Sequence, residues 1–338
     1  MYHVHFRGTH YQMGYHWGAA LAKRGHFLLA HIPFEITPDR IAFAEACLPI
    51  YQRYFPEILK EIQGLASGQN CKAALLQAVL FSMYAMPPAC NCSCFAVSNR
   101  THILFGRNSD FLTALERLNM NVIYRFSSAS YDFTGNTTAF LEMEDGINAH
   151  GLAIGLTAVS PTSIKAGFSA GLLLRFCLEK CRRTAEVIQL IKRLPIASAQ
   201  TFTIADTSGE IAVIESCADG CVVLSSTTQQ PFVCATNLFC SPELSAQQNL
   251  EVDNWQAQTR YDTLSRTLSA DAKEFDVQRA QQLLAGENGF LCQYDRSTGK
   301  DTVWSVLYDL NGQAIYRVEG NPNRCKFCRD ERFSFTTF

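Results

Sequence analysis

"ACNCSCFAVSNRTHILFGRNSDF", residues 89–111, sets cysteines at 90, 92 and 94 ahead of a short polar link and the cluster Arg107, Asn108 and Asp110. The apolar runs "SCFAV" and "HILFG" predict two short strands, and the Asn99-Arg100-Thr101 stretch between them can make a tight turn. A strand sends successive side chains to opposite faces, so Arg107 and Ser109 project one way and Asn108 and Asp110 the other. Arg107 and Asp110 can therefore share a pocket only if the strand ends or bends near Ser109.

Upstream of this hairpin, residues 8–91 read mainly as three or four helices. "HYQMGYHWGAALAKRGHFLLAHI" (10–32) repeats apolar residues at helical spacing, and "YQRYFPEILKEIQGLASG" (51–68) ends in a glycine suited to stop a helix. "NCKAALLQAVLFSMYAM" (70–86) reads as another helix, halted by Pro87 and Pro88. Downstream, "MNVIYRF" (120–126), "TAFLEM" (138–143) and "GLAIGLTAV" (151–159) resemble strands. "SAGLLLRFCLEKC" (169–181) and "TAEVIQLIKRL" (184–194) predict a helix pair, with Thr184 placed to cap the second. Strands return at "QTFTIAD" (200–206), "IAVIES" (211–216), "CVVLSS" (221–226) and "FVCATN" (232–237). Helices over roughly 244–268 and 276–285 precede a closing strand pair, "TVWSVLYDL" (302–310) and "AIYRVE" (314–319). Strands in both halves with helices between them predict a layered α+β fold.

The 338 residues allow a large core, and 29 basic against 31 acidic side chains leave a net charge of -2. That balance offers no electrostatic footprint for nucleic acid or an anionic membrane, which favours a small partner or substrate. The opening residues lack a signal-peptide core and the longest apolar runs are too short to span a bilayer, so the expectation is a soluble, cytoplasmic protein. Most of the 14 cysteines then read as reduced, buried hydrophobes. Cys90, Cys92 and Cys94 on a flat strand spread poorly around a tetrahedral metal, and Cys325-x-x-Cys328 lacks an obvious second pair.

A nucleophilic thiol needs a base close by. The histidines stop at His150, and His102 or His150 could pair with a cysteine. An economical alternative is cleavage of the bond before a cysteine, which frees an α-amine of pKa roughly 8 on the residue that carries the thiol. One residue then supplies both nucleophile and base.

"CSCFAVSNRTHILFGRNSD", from Cys92, resembles the start of the mature chain of N-terminal-nucleophile hydrolases related to choloylglycine hydrolase and penicillin V acylase. "GTHYQMGYHWG" (8–18) is similar to the leader element of their penicillin acyltransferase-like branch, the autoproteolytic acyltransferases and linear-amide hydrolases. The resemblance implies a four-layer αββα sandwich, with residues 1–91 as a helical leader and 92–338 as the catalytic region. It makes Cys92 the nucleophile, Ser93 the small hydroxyl residue beside it, Arg107 the group that positions the thiol, and Asp110 the group that holds the free amine. "ATNLF" (235–239) resembles the segment whose asparagine, here Asn237, contributes to an oxyanion hole, and an amide donor suits that charge.

"DGINAHGLAIGLTAVS" (145–160) resembles the family's next segment, but Thr157 stands where relatives often carry an asparagine, so a backbone N–H is the alternative second donor. Asn148 reads as a turn residue. "TRYDTLSRTL" (259–268) gives Arg260 a structural or binding role, and Ser305 in the closing strand can face the site. The implied chemistry is self-cleavage at Asn91-Cys92, where many relatives carry glycine at the first position. It continues as hydrolysis of a small non-peptide N-acyl amide through a thioester, or transfer to an amine acceptor. The two pieces would stay together as a heterodimer, and no metal or redox cofactor is required. A Cys/His hydrolase that is never cut, and an inactive ligand-binding protein of the same fold, remain as alternatives.

Overall fold

Two antiparallel strands, β2 (Asn91–Ser98) and β3 (Ile103–Leu112), form the hairpin read from the sequence. Its turn is fixed by Asn99, whose side-chain oxygen accepts the backbone N–H groups of Thr101 and His102. The computed structural model describes residues 1–86 and 91–335. Pro87, Pro88 and Cys90, named above as helix stop and thiol, lie outside the described residues.

The hairpin is central in a six-stranded sheet of order β11-β2-β3-β12-β13-β14, completed by β11 (Phe232–Ala235), β12 (Lys300–Asp309), β13 (Ala314–Glu319) and β14 (Cys328–Arg329). An eight-stranded sheet stacks on it. That sheet begins with β1 (Tyr2–Gly8), which pairs in parallel with β4 (Met120–Phe126). It continues through β5 (Phe133–Thr137), β6 (Asp145–Asn148), β7 (Ala153–Ala158), β8 (Gln200–Ala205), β9 (Ile211–Cys217) and β10 (Gly220–Ser225). Cys94, Ala96, Phe105, Ile147, Ala153 and Val306 fill the space between the sheets.

Helices cover both outer faces. Over the eight-stranded sheet lie α1 (His10–Lys23), α2 (Pro38–Tyr54), α3 (Pro56–Gln69), α4 (Ala73–Ser82), α5 (Ala170–Lys180) and α6 (Thr184–Ile191). Their core joins Met13, Tyr51, Ile62 and Phe81 from the leader to Tyr124, Leu156, Leu174 and Phe202 from the later chain. Over the six-stranded sheet, α7 (Ala257–Asp271) and α8 (Val277–Leu284) bury Leu264, Leu268, Leu283 and Leu284 against Phe95 and Leu307. This is the expected αββα arrangement.

The leader motif has a packing reason. Gly14 and Gly18 of α1 face Gly64 and Gly68 of α3, and a Cβ on Gly18 would lie 2.6 Å from the Leu65 carbonyl oxygen. Side chains there would hold the helices apart.

Several local readings change. Residues 2–8, unread from the sequence, form β1. "TAFLEM" is a turn between β5 and β6, because Glu142 and Glu144 turn inward to bind polar groups. No glycine ends α3: Asn70 does so in the left-handed conformation (φ 52°), and Pro56 starts α3 separately from α2. Thr184 is not the cap of α6 but its first residue, its N–H held by the Asp206 carboxylate at 2.7 Å. The helix expected from about 244 begins at Ala257.

Candidate active site

Cys92, second residue of β2, is gripped at three atoms. Its N–H donates to Asn237 Oδ1 at 2.8 Å, its carbonyl accepts from Arg260 Nη1 at 2.6 Å, and Arg107 Nη2 donates to Sγ at 2.7 Å. All four residues are buried, and Cys92, Arg107 and Arg260 have no exposed surface.

The pleat of the hairpin decides which side each group serves. Cys92 pairs with Ser109, and Cys94 with Arg107, so these four face the opposite sheet. There Arg107 also donates to Asp145 Oδ2 at 3.0 Å, Glu144 Oε2 at 3.3 Å and the Leu156 carbonyl at 3.3 Å. Burial works against the guanidinium charge, but Cys92, Asp145, Cys94 and Glu144 outweigh it and hold the group protonated. Cys94 is also near Arg107, yet burial pushes its thiol well up, which marks it as packing. Asp145 is saturated, accepting as well from Trp304 Nε1, Tyr308 and Asn136.

Asp110 lies across from Asn91 on the other face, so it does not share a pocket with Arg107. The register of β12 slips between Thr302 and Trp304, beside Asp110 and Ser109, without turning Asp110 to the thiol side. Its carboxylate accepts from Thr302 Oγ1 at 2.6 Å and the Tyr294 hydroxyl at 3.0 Å, with Arg260 Nη1 at 3.7 Å. Burial pushes it up to about 6; Arg260, Thr302, Tyr294 and Arg107 oppose the rise. Arg260 thus links both faces: besides the Cys92 carbonyl it reaches Ser93 Oγ and Asn237 Oδ1, each at 3.0 Å.

The Asn237 amide donates to the Ala158 carbonyl at 2.7 Å, which fixes its oxygen toward Cys92 and Arg260. Thr157 and Ser305 are not brought to the sulfur. Thr157 is tied to Thr201 and the Thr236 carbonyl, and Ser305 donates to the Arg107 carbonyl from the Asn108 face. Asn91 is buried in β2, and its Nδ2 has no partner among the described residues.

The histidine alternative fails on position. His102 sits at the far end of β2, roughly 20 Å along the strand from Cys92. His150 lies in the turn after β6, edge-on against Tyr131. Sequence reasoning missed Glu144, Tyr294 and Thr302, and left Asp145 without a role. Adjacent acids in the apolar "FLEMEDGI" were the available signal for the first and last of these.

Among the described residues, no cluster of three or more His, Cys, Asp or Glu side chains is arranged to hold a metal. None of their helices is long and apolar enough to cross a membrane.

The family model described as acyl-coenzyme A:6-aminopenicillanic acid acyl-transferase matches residues 97–324. The chain belongs to this family. The matched region includes Arg107, Asp110, Asn237, Arg260 and Ser305 and begins just after Cys92. Membership puts the chain in a class of amidohydrolases and acyltransferases acting on amide-type substrates, as its motifs implied. No curated protein matches it in sequence. Among solved structures it is similar to the Caenorhabditis elegans ortholog of N-acylethanolamine-hydrolyzing acid amidase, with 16% identity, 65% of this chain and 93% of that one covered, and a TM-score of 0.47. It is similar also to penicillin V acylase from Agrobacterium tumefaciens, with 14% identity, coverages of 68% and 82%, and a TM-score of 0.48. A mutant of the conjugated bile acid hydrolase from Clostridium perfringens gives 14% identity, coverages of 73% and 98%, and a TM-score of 0.44.

Proposed function

We propose that the chain is an N-terminal cysteine amidohydrolase or acyltransferase that activates itself by cutting Asn91-Cys92. The observation that carries this reading is the three-point hold on residue 92, at nitrogen, carbonyl oxygen and sulfur. A packing cysteine has no use for an arginine on its sulfur or for polar anchors on both sides of its Cα.

In the uncut chain Cys92 has no exposed surface, so no outside amide can reach it. Self-cleavage removes that block. The sulfur attacks the Asn91 carbonyl carbon, the C–N bond breaks and its nitrogen takes a proton, and water hydrolyses the thioester. The cationic Arg107 favours the thiolate form. Arg260 and Asp110 then flank the new amine.

In the mature site the Cys92 amine takes the thiol proton as sulfur bonds to the substrate carbonyl. Asn237 and a backbone N–H serve the oxyanion, and the proton passes to the departing nitrogen. Water or an amine resolves the acyl-enzyme. We assign the substrate to small non-peptide N-acyl amides. Residues 1–91 remain bound to 92–338 as a heterodimer, a reading supported by their shared core and by the buried links of His10 and Glu61 to Glu179 and Arg175.

Intact mass and N-terminal sequencing of wild type and Cys92→Ala test this. Wild type yields a piece beginning at Cys92, and the variant stays whole. An amide-hydrolysing wild type still joined at Asn91-Cys92 overturns the reading.

A further inference from the structure

Behind the catalytic strand, on the Asp110 face, a cavity of about 280 Å³ opens between the segment before α7 and the segment before β12. Its apolar walls are Trp255, Phe290 and Tyr294, ringed by Asp253, Gln293 and Lys300. The rings meet edge to face: Trp255 to Tyr294 at 5.6 Å and Phe290 to Tyr294 at 5.3 Å. Lys300 is paired with Asp253 and stands 5.0 Å over the Trp255 ring, so the rim's main cation is neutralised.

The cavity is wired to residue 92. Tyr294 donates to Asp110, and the Trp255 carbonyl accepts from Arg260 Nε at 3.0 Å. Arg260 in turn holds the Cys92 carbonyl. Trp255 and Gln256 are consecutive non-glycine residues in the left-handed region, φ 52° and 59°. Such strain persists where the surroundings over-determine it and gathers at ligand sites. Here it turns the Trp255 ring into the cavity wall while its carbonyl faces Arg260.

The self-cleavage chemistry says what belongs there. In the first turnover Asn91 is the acyl donor and the Cys92 nitrogen is the leaving amine. A later substrate puts its carbonyl where the Asn91 carbonyl was, and its acyl substituent where the Asn91 side chain was. That side chain lies across from Asp110, on the face toward Tyr294, and is buried with an amide that finds no partner among the described residues. A polar acyl group is poorly served in this place, whereas an apolar one extends toward three aromatic walls.

We propose that this cavity is the acyl subsite, taking an acyl group that ends in a flat apolar ring, with Trp255 and Phe290 as specificity residues. The assignment rests on the function proposed above. Its test compares acetyl and phenylacetyl p-nitroanilides on mature wild type, Trp255→Leu and Phe290→Ala. Wild type favours the phenylacetyl compound by about tenfold or more in kcat/KM; each variant loses most of that preference through KM, with the acetyl compound changed by less than about twofold. Equal losses on both compounds, or no change on either, overturn the subsite.

A binding arm separates this idea from the reaction itself. Phenylacetate should saturably quench tryptophan fluorescence in the uncut Cys92→Ala chain and fail to do so in a chain that also carries Trp255→Leu. Quenching without any amide hydrolysis by wild type would keep the cavity and defeat the reaction. Hydrolysis without Trp255-dependent binding or preference would do the reverse.

Discussion

Arg175 and Arg107 are both fully buried arginines that meet two carboxylates, yet they use their donors differently. Arg175 gives all three nitrogens to Glu61, Glu179, Tyr124 and the Leu141 carbonyl, and its guanidinium stacks 4.3 Å over the Tyr124 ring. Arg107 gives two nitrogens to Asp145, Glu144 and a carbonyl but directs Nη2 at the Cys92 sulfur as well. The first cluster spends every donor on holding the leader to the sheet. The second holds its arginine just as firmly and keeps one donor on a nucleophile. Neither burial nor the number of carboxylates separates the two; the identity of the last acceptor does.

The sharpest way to break this comparison is to remove each arginine. Arg175→Met strands Glu61 and Glu179, and the expected loss is about 3–5 kcal/mol in urea denaturation. The folded fraction should still cut itself at the normal rate. Arg107→Lys keeps a charge near Glu144 and Asp145 but lacks the planar fork that reaches the sulfur as well. Self-cleavage, followed by gel densitometry, should slow by about 10²–10³-fold, as on removing a transition-state donor. If Arg175→Met slowed cleavage as much, the division between the two clusters would be wrong.

A smaller effect comes from Asp110, whose proton affinity is higher in the folded chain than in the unfolded one. Raising a carboxyl from about 3.9 to about 6 corresponds to roughly 3 kcal/mol. Because the folded state favours the neutral form, there is no deficit below about pH 4, and stability falls as pH rises through about 6. Asp110→Asn should therefore melt higher than wild type above pH 7, with the two converging near pH 4. Thr302→Val makes the finest adjustment. Loss of one donor to the carboxylate should move the decline to higher pH and cost about 1 kcal/mol, readable from melting curves across pH.

Much of the architecture was legible because it is local. The period of "SCFAV" and "HILFG", the turn at Asn99 and the amphipathic leader each follow from neighbours in sequence. The parallel pairing of β1 with β4 does not, since it joins residues more than a hundred positions apart. At the site, strand alternation correctly separated Arg107 from Asp110. It could not show that Glu144 and Asp145, from the other sheet, complete the Arg107 cluster. Tyr294 and Thr302 were invisible for the same reason: nothing near them in the chain announces a buried carboxylate. Arg260, read as a helix residue with a structural or binding role, touches the nucleophile because α7 packs across β2.

The strand β1 belongs to the leader, yet it forms one edge of the eight-stranded sheet. A chain severed before Cys92 would keep that edge only while it stays folded. Once denatured, its two halves would have to meet by diffusion, and the recovery rate would depend on dilution. The intact precursor, whose halves share one backbone, would refold at a rate indifferent to concentration.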